Sequence, residues 1–303
     1  MKIDNIASLL YALIRNRKDE IAKNFEVCIA NEKENGVKLR LKHVYDEYRR
    51  REGESVIHKL DAAVMPLVSA PYKDCSFTDL CLSDTVINGT SLLLKEWKYR
   101  DYLIAQGLSP ANKVLLEGPP GNGKTSYAIA LSKELGLPLL NTSSSLMLDS
   151  YLGKSEKNVS LLFRHMPEEC VLFFDEFEAM ASSRGRISED GGGAGRAWNS
   201  IVTSFLVNME CIRPSCIFIA ATNRTDMLDK AIIRRFDLRM AFNNPTDEQK
   251  IMYTEKYLNT YGLKWSDFYS QKEMLNDAVS YSDMERILRM RHKEIVLQNL
   301  TER

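Results

Sequence analysis

The chain has 303 residues, 44% of them hydrophobic and 27% charged, with 41 basic against 41 acidic side chains. That is an ordinary globular composition, long enough for two compact units or for one large domain with an appendage. Zero formal net charge sets up no global field that would mark nucleic acid or an anionic membrane as the partner, although it leaves room for a local basic patch. No apolar run approaches the roughly 20 residues that a bilayer span requires.

In chain order, residues 1–70 are expected to form an N-terminal helical domain. The first segment carries Asp4 early and lacks a small-residue cleavage site, so it reads as an amphipathic helix rather than a secretory signal. Ile6, Leu9, Leu10, Leu13 and Ile14 fall on one helical stripe, and Ile21, Phe25, Cys28 and Ile29 on a second. Asn35-Gly36 is a turn signal, and the apolar run from Val56 to Val68 ends near Ala70-Pro71. The cysteines Cys28, Cys75, Cys81, Cys170, Cys211 and Cys216 form no C-x-x-C pair and histidines are sparse. Buried, reduced thiols are expected, which favours a cytoplasmic location.

From about Phe77 the texture changes. Strands are expected at Val114–Leu116, Pro138–Asn141, Val171–Phe174 and Ile217–Ala220. Helical patterns follow the first three, at Thr125–Leu135, Glu156–Met166 and Ala197–Met209. This alternation predicts an α/β domain over 71–245, with a parallel sheet covered on both faces. After Pro245 only helical patterns remain, including Asp247–Tyr261 and Asp283–Leu297, so 246–303 reads as a small helical domain.

Gly118-Pro119-Pro120-Gly121-Asn122-Gly123-Lys124-Thr125 fits G-x-x-x-x-G-K-[ST] completely. An apolar strand precedes it, and a helix opening at Ser126 and closed by Gly136 follows. Small residues are needed because the backbone must wrap phosphate oxygens and aim its N–H groups inward. The helix N-terminus adds a favourable dipole for the anion. This stretch, with Ser126, is the candidate ATP-binding set. Lys124 is expected to reach the β- and γ-phosphates, and the Thr125 hydroxyl to ligate Mg²⁺.

Downstream, Val171-Leu172-Phe173-Phe174 ends in Asp175-Glu176. An apolar central strand tipped by two acids can place them in the crevice outside the sheet. There Asp175 would bind Mg²⁺, usually through water, and Glu176 would act as general base on the attacking water. A further apolar strand ends in Asn223, which either orients that water or simply occupies the turn. Arg234-Arg235-Phe236-Asp237 reads by itself as a surface helix end with salt bridges. An arginine supplied by a neighbouring copy can nevertheless speed phosphoryl transfer by about 10³–10⁵, and no other arginine stands obviously closer to the loop. A supply in trans implies an oligomer.

LEGPPGNGKT, VLFFDEFEAM and IAATNRTDMLDKAIIRRFDLRM resemble the Walker A, Walker B and second region of homology of the AAA ATPases, within the AAA+ group, in order and spacing. The likeness runs from about Phe77 to Tyr281, and the RRF arrangement is similar to the katanin and spastin-like group. The resemblance implies a five-stranded α/β domain with a helical lid and a hexameric ring. It also implies that Asn223 is sensor 1 and that Arg234 and Arg235 are arginine fingers acting in trans. The segment Ser150–Lys157 looks like the first pore loop, whose Tyr151 and Leu152 would grip a protein substrate. Read from the residues alone, it is a loop capped by Ser155 ahead of a helix, with Tyr151 half-buried. The stretch Arg184–Arg196 matches a second pore loop in position.

Two departures stand out. Asn122 replaces the usual threonine or serine, and Val279-Ser280-Tyr281-Ser282-Asp283-Met284 stands where relatives have a Ser-Gly-Ala-Asp turn. No lid arginine matches a sensor 2. Helices directly ahead of the AAA core are also similar to small bacterial ATPases encoded beside subtilisin-like serine proteases in plasmid-maintenance or phage-defence modules. Three functions compete: a motor that remodels or threads proteins, an ATP-controlled switch or scaffold for a partner, and a DNA-acting ATPase. Neutral charge and the absence of a recognisable helix-turn-helix weigh against the last.

Overall fold

The computed structural model describes residues 18–32, 64–69, 75–147, 152–181 and 193–301, with isolated positions between 8 and 60. Helix α1 spans Lys18–Asn31. It buries Ile21, Phe25 and Cys28 against Tyr45, with Ile29 alongside, so the second expected stripe is a packed face. Leu10, the one described member of the first stripe, is exposed, and Asn35-Gly36 lies outside the described residues.

Helices α2 (Asp84–Lys98) and α3 (Arg100–Ala105) lead into strand β1 (Lys113–Glu117). Then come α4 (Lys124–Leu135), β2 (Leu139–Ser143), α5 (Leu152–His165), β3 (Cys170–Asp175), α6 (Gly193–Glu210), β4 (Cys216–Thr222) and β5 (Leu238–Ala241). The last part is helical, as expected: α7 (Asp247–Tyr261), α8 (Lys272–Asp277) and α9 (Tyr281–Thr301). The five strands lie in the order β2-β3-β4-β1-β5 and every pair is parallel. This is the α/β architecture of a P-loop nucleotide-binding domain.

The sheet is covered on both faces, and the two-residue period of each strand divides its side chains between them. Cys170, Leu172 and Phe174 of β3 and Cys216, Phe218 and Ala220 of β4 join one core, with Val159 and Leu162 of α5 and Phe205 of α6. Val171 and Phe173, with Ile217, Ile219 and Ala221, join the other, against Tyr127 and Leu131 of α4 and Val86 and Leu93 of α2. Each buried Val, Leu, Ile or Phe among them contributes about 1.5–3 kcal/mol.

Val64, Leu67 and Val68 pack into the first of these cores, although they precede the boundary expected near 70. Ser69 makes an antiparallel bridge to Asn141, with N–H···O distances of 2.7 and 3.1 Å, and so partly covers the edge strand β2. The C-terminal helices carry a core of their own, around Leu258, Phe268, Met284 and Leu288. Helix α7 starts at a capping box between Thr246 and Gln249 and stops at Gly262, whose φ is +67°.

Two local expectations change. Helix α5 begins at Leu152, and Ser155 is buried inside it rather than capping it. Of the cysteines, Cys28, Cys75, Cys170 and Cys216 are buried, but Cys81 is half-buried and Cys211 exposed. Among the described residues, no helix is long and apolar enough to cross a membrane.

Candidate active site

Strands β3, β4 and β1 are neighbours and run the same way, so the segments leaving their C-terminal ends converge. The 118–125 loop follows β1, Asp175-Glu176 ends β3 and Asn223 follows β4. Together with α7 and α9 they line a cleft of about 540 Å³. Its floor and mouth include Pro120, Gly121, Asn122, Gly123, Lys124, Thr125, Ser126, Asp175, Glu176 and Asn223.

The loop needs its glycines for different reasons. Gly118 has φ +140°, and a Cβ there would lie 2.2 Å from the carbonyl oxygen of Phe242. Gly123 takes the left-handed conformation (φ +88°) immediately before α4, a turn that L side chains resist. Asn122 donates from Nδ2 to Asn244 Oδ1 at 2.8 Å, tying the loop to the chain beyond β5. The departure from threonine or serine thus has a structural use here.

Lys124 is 7% exposed. Its ammonium donates to Gly118 O at 2.6 Å, Pro119 O at 2.9 Å and Asn223 Oδ1 at 2.8 Å. Burial pushes its pKa down from the ordinary lysine value, while the charges of Asp175 and Glu178 push it back up. A concentrated positive charge held among backbone carbonyls is suited to exchange those partners for phosphate oxygens.

The Thr125 hydroxyl donates to Asp175 Oδ2 at 3.2 Å. A hydroxyl and a carboxylate this close, beside the phosphate loop, form the hard oxygen set that Mg²⁺ takes together with phosphate and water. The residues fit the ion, and Thr125 and Asp175 would hold it. Asp175 Oδ1 accepts the Glu176 amide at 2.9 Å. Glu176 itself has φ +52° and is the one non-glycine residue with positive φ among the described residues. The Ser144 hydroxyl donates to its carbonyl at 2.6 Å and helps to hold the strained turn. The turn leaves the Glu176 side chain exposed and lining the cleft.

Asn223 shares this space: besides accepting from Lys124, it donates its main-chain amide to Glu178 Oε1 at 3.4 Å. Arg234 and Arg235 are exposed and are not among the residues lining the cleft. Arg235 pairs with Glu210 at 2.8 Å, as a surface helix end would. Phe236 is buried behind them, stacked on Phe218 at 5.9 Å. Tyr151 lies outside the described residues, and Leu152 is the first residue of α5.

Other cleft residues escaped the sequence reading. Arg289 of α9 lines the cleft and pairs with Glu285 at 2.7 Å. Ser282 donates its amide to Gly121 O at 3.1 Å, so the unusual lid turn rests on the phosphate loop. Leu80 and Cys81 also line the cleft, and Lys256 of α7 donates to Leu80 O at 3.2 Å. No local motif marks these positions, because their role comes from helices folding back over the loop.

Residues 114–244 match the family described as ATPase family associated with various cellular activities (AAA). The chain is 35% identical over 194 residues to an AAA family ATPase of Sinorhizobium fredii, covering 60% of this chain and 57% of that protein. It is 35% identical over 170 residues to the peroxisomal ATPase pex6 of Schizosaccharomyces pombe, covering 53% of this chain and 18% of the relative. Against a cell division cycle protein 48 homologue of Archaeoglobus fulgidus it is 30% identical over 202 residues, 64% of this chain and 27% of the relative. The chain therefore spans little more than half of the first of these relatives and a smaller part of the others. The matched stretch runs from β1 to just beyond β5 and takes in the loop, the acid pair and Asn223, and by that match residues 114–244 are an ATPase domain of the AAA type.

Proposed function

We propose that this chain is a Mg²⁺-dependent ATPase that works as a homo-hexameric ring on protein substrates. One observation carries the catalytic part: Glu176 lines the same cleft as Lys124, Thr125 and Asp175, on a left-handed turn that non-glycine residues seldom adopt. Lys124 and the loop amides neutralise the phosphates. Asn223 orients a water, and Glu176 takes its proton as the water attacks the γ-phosphorus and the bond to the departing ADP oxygen breaks. Thr125 and Asp175 would hold Mg²⁺, which when bound would neutralise part of the phosphate charge.

ATP turnover by the wild type and by Glu176→Gln tests this. The glutamine variant is expected to bind ATP but to turn over about 10²–10⁴-fold more slowly, the range for loss of a general base. Wild-type turnover in the variant would exclude the assignment.

Arg234 and Arg235 are read as fingers for a neighbouring copy. Their exposure, and their absence from their own cleft, support this supply in trans. Tyr151 and Leu152 are read as the pore loop that grips the substrate. Tyr151→Ala is expected to keep basal ATPase and to lose remodelling of an unfolded protein substrate; unchanged remodelling would favour the ATP-controlled switch. The same reading places the ring in the cytoplasm, with a subtilisin-like serine protease as a candidate partner. The resemblance in the N-terminal helices carries that pairing, and proteins recovered with Glu176→Gln in the presence of ATP would test it.

A further inference from the structure

Glu178 is an acidic residue of the site that the hydrolytic reading leaves without a task. It does not line the cleft but sits behind it, in the single turn Phe177–Ala179 that follows the strained Glu176. That turn is a fixed platform. Phe177 is fully buried, edge-on to Phe174 at 5.3 Å, to Phe205 at 5.2 Å and to Phe218 at 6.0 Å. Met180 and Ala181 are buried just beyond it. From this platform Glu178 reaches across to the tip of β4, where Oε1 accepts the Asn223 amide at 3.4 Å. The next amide, of Arg224, is held at 3.0 Å by the Thr222 hydroxyl, so the tip is pinned at consecutive residues.

The second oxygen of Glu178, Oε2, is buried with no hydrogen-bond partner among the described residues. A carboxylate oxygen in that position costs stability, and such unsatisfied groups call for a reason beyond folding. Asn223 supplies one. Its side-chain oxygen meets the Lys124 ammonium at 2.8 Å while its main chain is held by Glu178. The direction of the Asn223 side chain therefore depends on where Glu178 holds the amide.

We propose that Glu178 is a positioning residue for Asn223, holding its main-chain N–H at the tip of β4 so that the Asn223 side-chain carboxamide faces Lys124 and the water that attacks ATP. This rests on the ATPase reading above. Glu178 does not line the cleft, so on this proposal it acts on the rate of the chemical step rather than on nucleotide binding.

A double-mutant cycle tests it. Glu178→Met keeps the volume and removes the acceptor, Glu178→Gln keeps an acceptor oxygen, and Glu178→Ala is a second non-accepting variant should methionine perturb the fold. In the wild-type background, Glu178→Met is expected to lower kcat about 10- to 100-fold, the scale of a misplaced orienting group, with KM for ATP changed less than about twofold. Glu178→Gln should recover most of that loss. In an Asn223→Ala background, Glu178→Met should cost nothing further. An equal fold-loss in both backgrounds, or an unchanged kcat beside an active wild type, would overturn the proposal alone. A wild type without turnover would overturn the ATPase reading and this proposal with it.

Discussion

At Gly118 the chain has no room for a side chain: the carbonyl of Phe242 comes within 2.2 Å of where a Cβ would sit, and φ is +140°. The obstacle is backbone, fixed by the Phe242 amide bonded to Glu117 O at 2.7 Å, so it cannot swing aside as a long side chain would. Gly118→Ala is expected to cost about 3 kcal/mol or more through strain and displacement of β5. Chemical denaturation beside an ATP-binding measurement checks this, and both stability and affinity should fall. The phosphate loop was legible in the sequence because its chemistry forces a local spacing, and Asp175-Glu176 was legible because an apolar strand runs into it. Glu178 and Arg289 were not: Glu178 bonds to the distant Asn223, and Arg289 reaches the cleft only because α9 folds back over the loop. Asn223 was found by its place after β4, but its bond to Lys124 appears only once the sheet order sets β4 beside β1.

Among the elements, the lid helix α9 is tied to the site at its first turn. Ser280 donates from Oγ and N to Asp283 Oδ2 at 2.8 and 3.2 Å, and the Asp283 amide returns a bond to Ser280 Oγ at 3.2 Å. The Ser280 hydroxyl bond, before other causes, lowers the Asp283 pKa below the ordinary aspartate value of 3.8. Because the folded value is depressed, the stabilisation is fully present above the unfolded value and is lost as pH falls through the folded one. Melting curves of the wild type and Asp283→Asn should therefore be separated above about pH 4 and converge below it. A constant gap down to strong acid would contradict the box. Four strands and the main helices were legible because each carries an apolar period of its own. Strand β5 was not: its four residues, Leu238–Ala241, bury only Met240 fully and take their strand identity from pairing with β1. Helix α2 was not among the expected elements, and it carries Asn88 and Gly89, two residues of low helix propensity, in its interior.

For the molecule as a whole, the exposed Arg234-Arg235 pair matters most. Phe236, stacked on Phe218, anchors the pair at the surface, while the loop, the acids and Asn223 lie together in a cleft that the pair does not line. On the proposed reading one copy holds the loop, the acid pair and Asn223, and presents Arg234 and Arg235 outward. If those cations serve a neighbour, two differently disabled proteins can repair each other. Glu176→Gln lacks the base but keeps its arginines; the Arg234→Ala, Arg235→Ala double variant lacks the arginines but keeps the base. The direct measurement is ATP turnover of the two proteins separately and after mixing in equal amounts. Each alone should be nearly inactive, and the mixture should recover up to about a quarter of wild-type turnover, the share of seams that pair an intact base with intact arginines in a randomly mixed ring. A mixture that stays as inactive as its parts despite subunit exchange, or an arginine variant that is fully active alone, would contradict a site shared between copies.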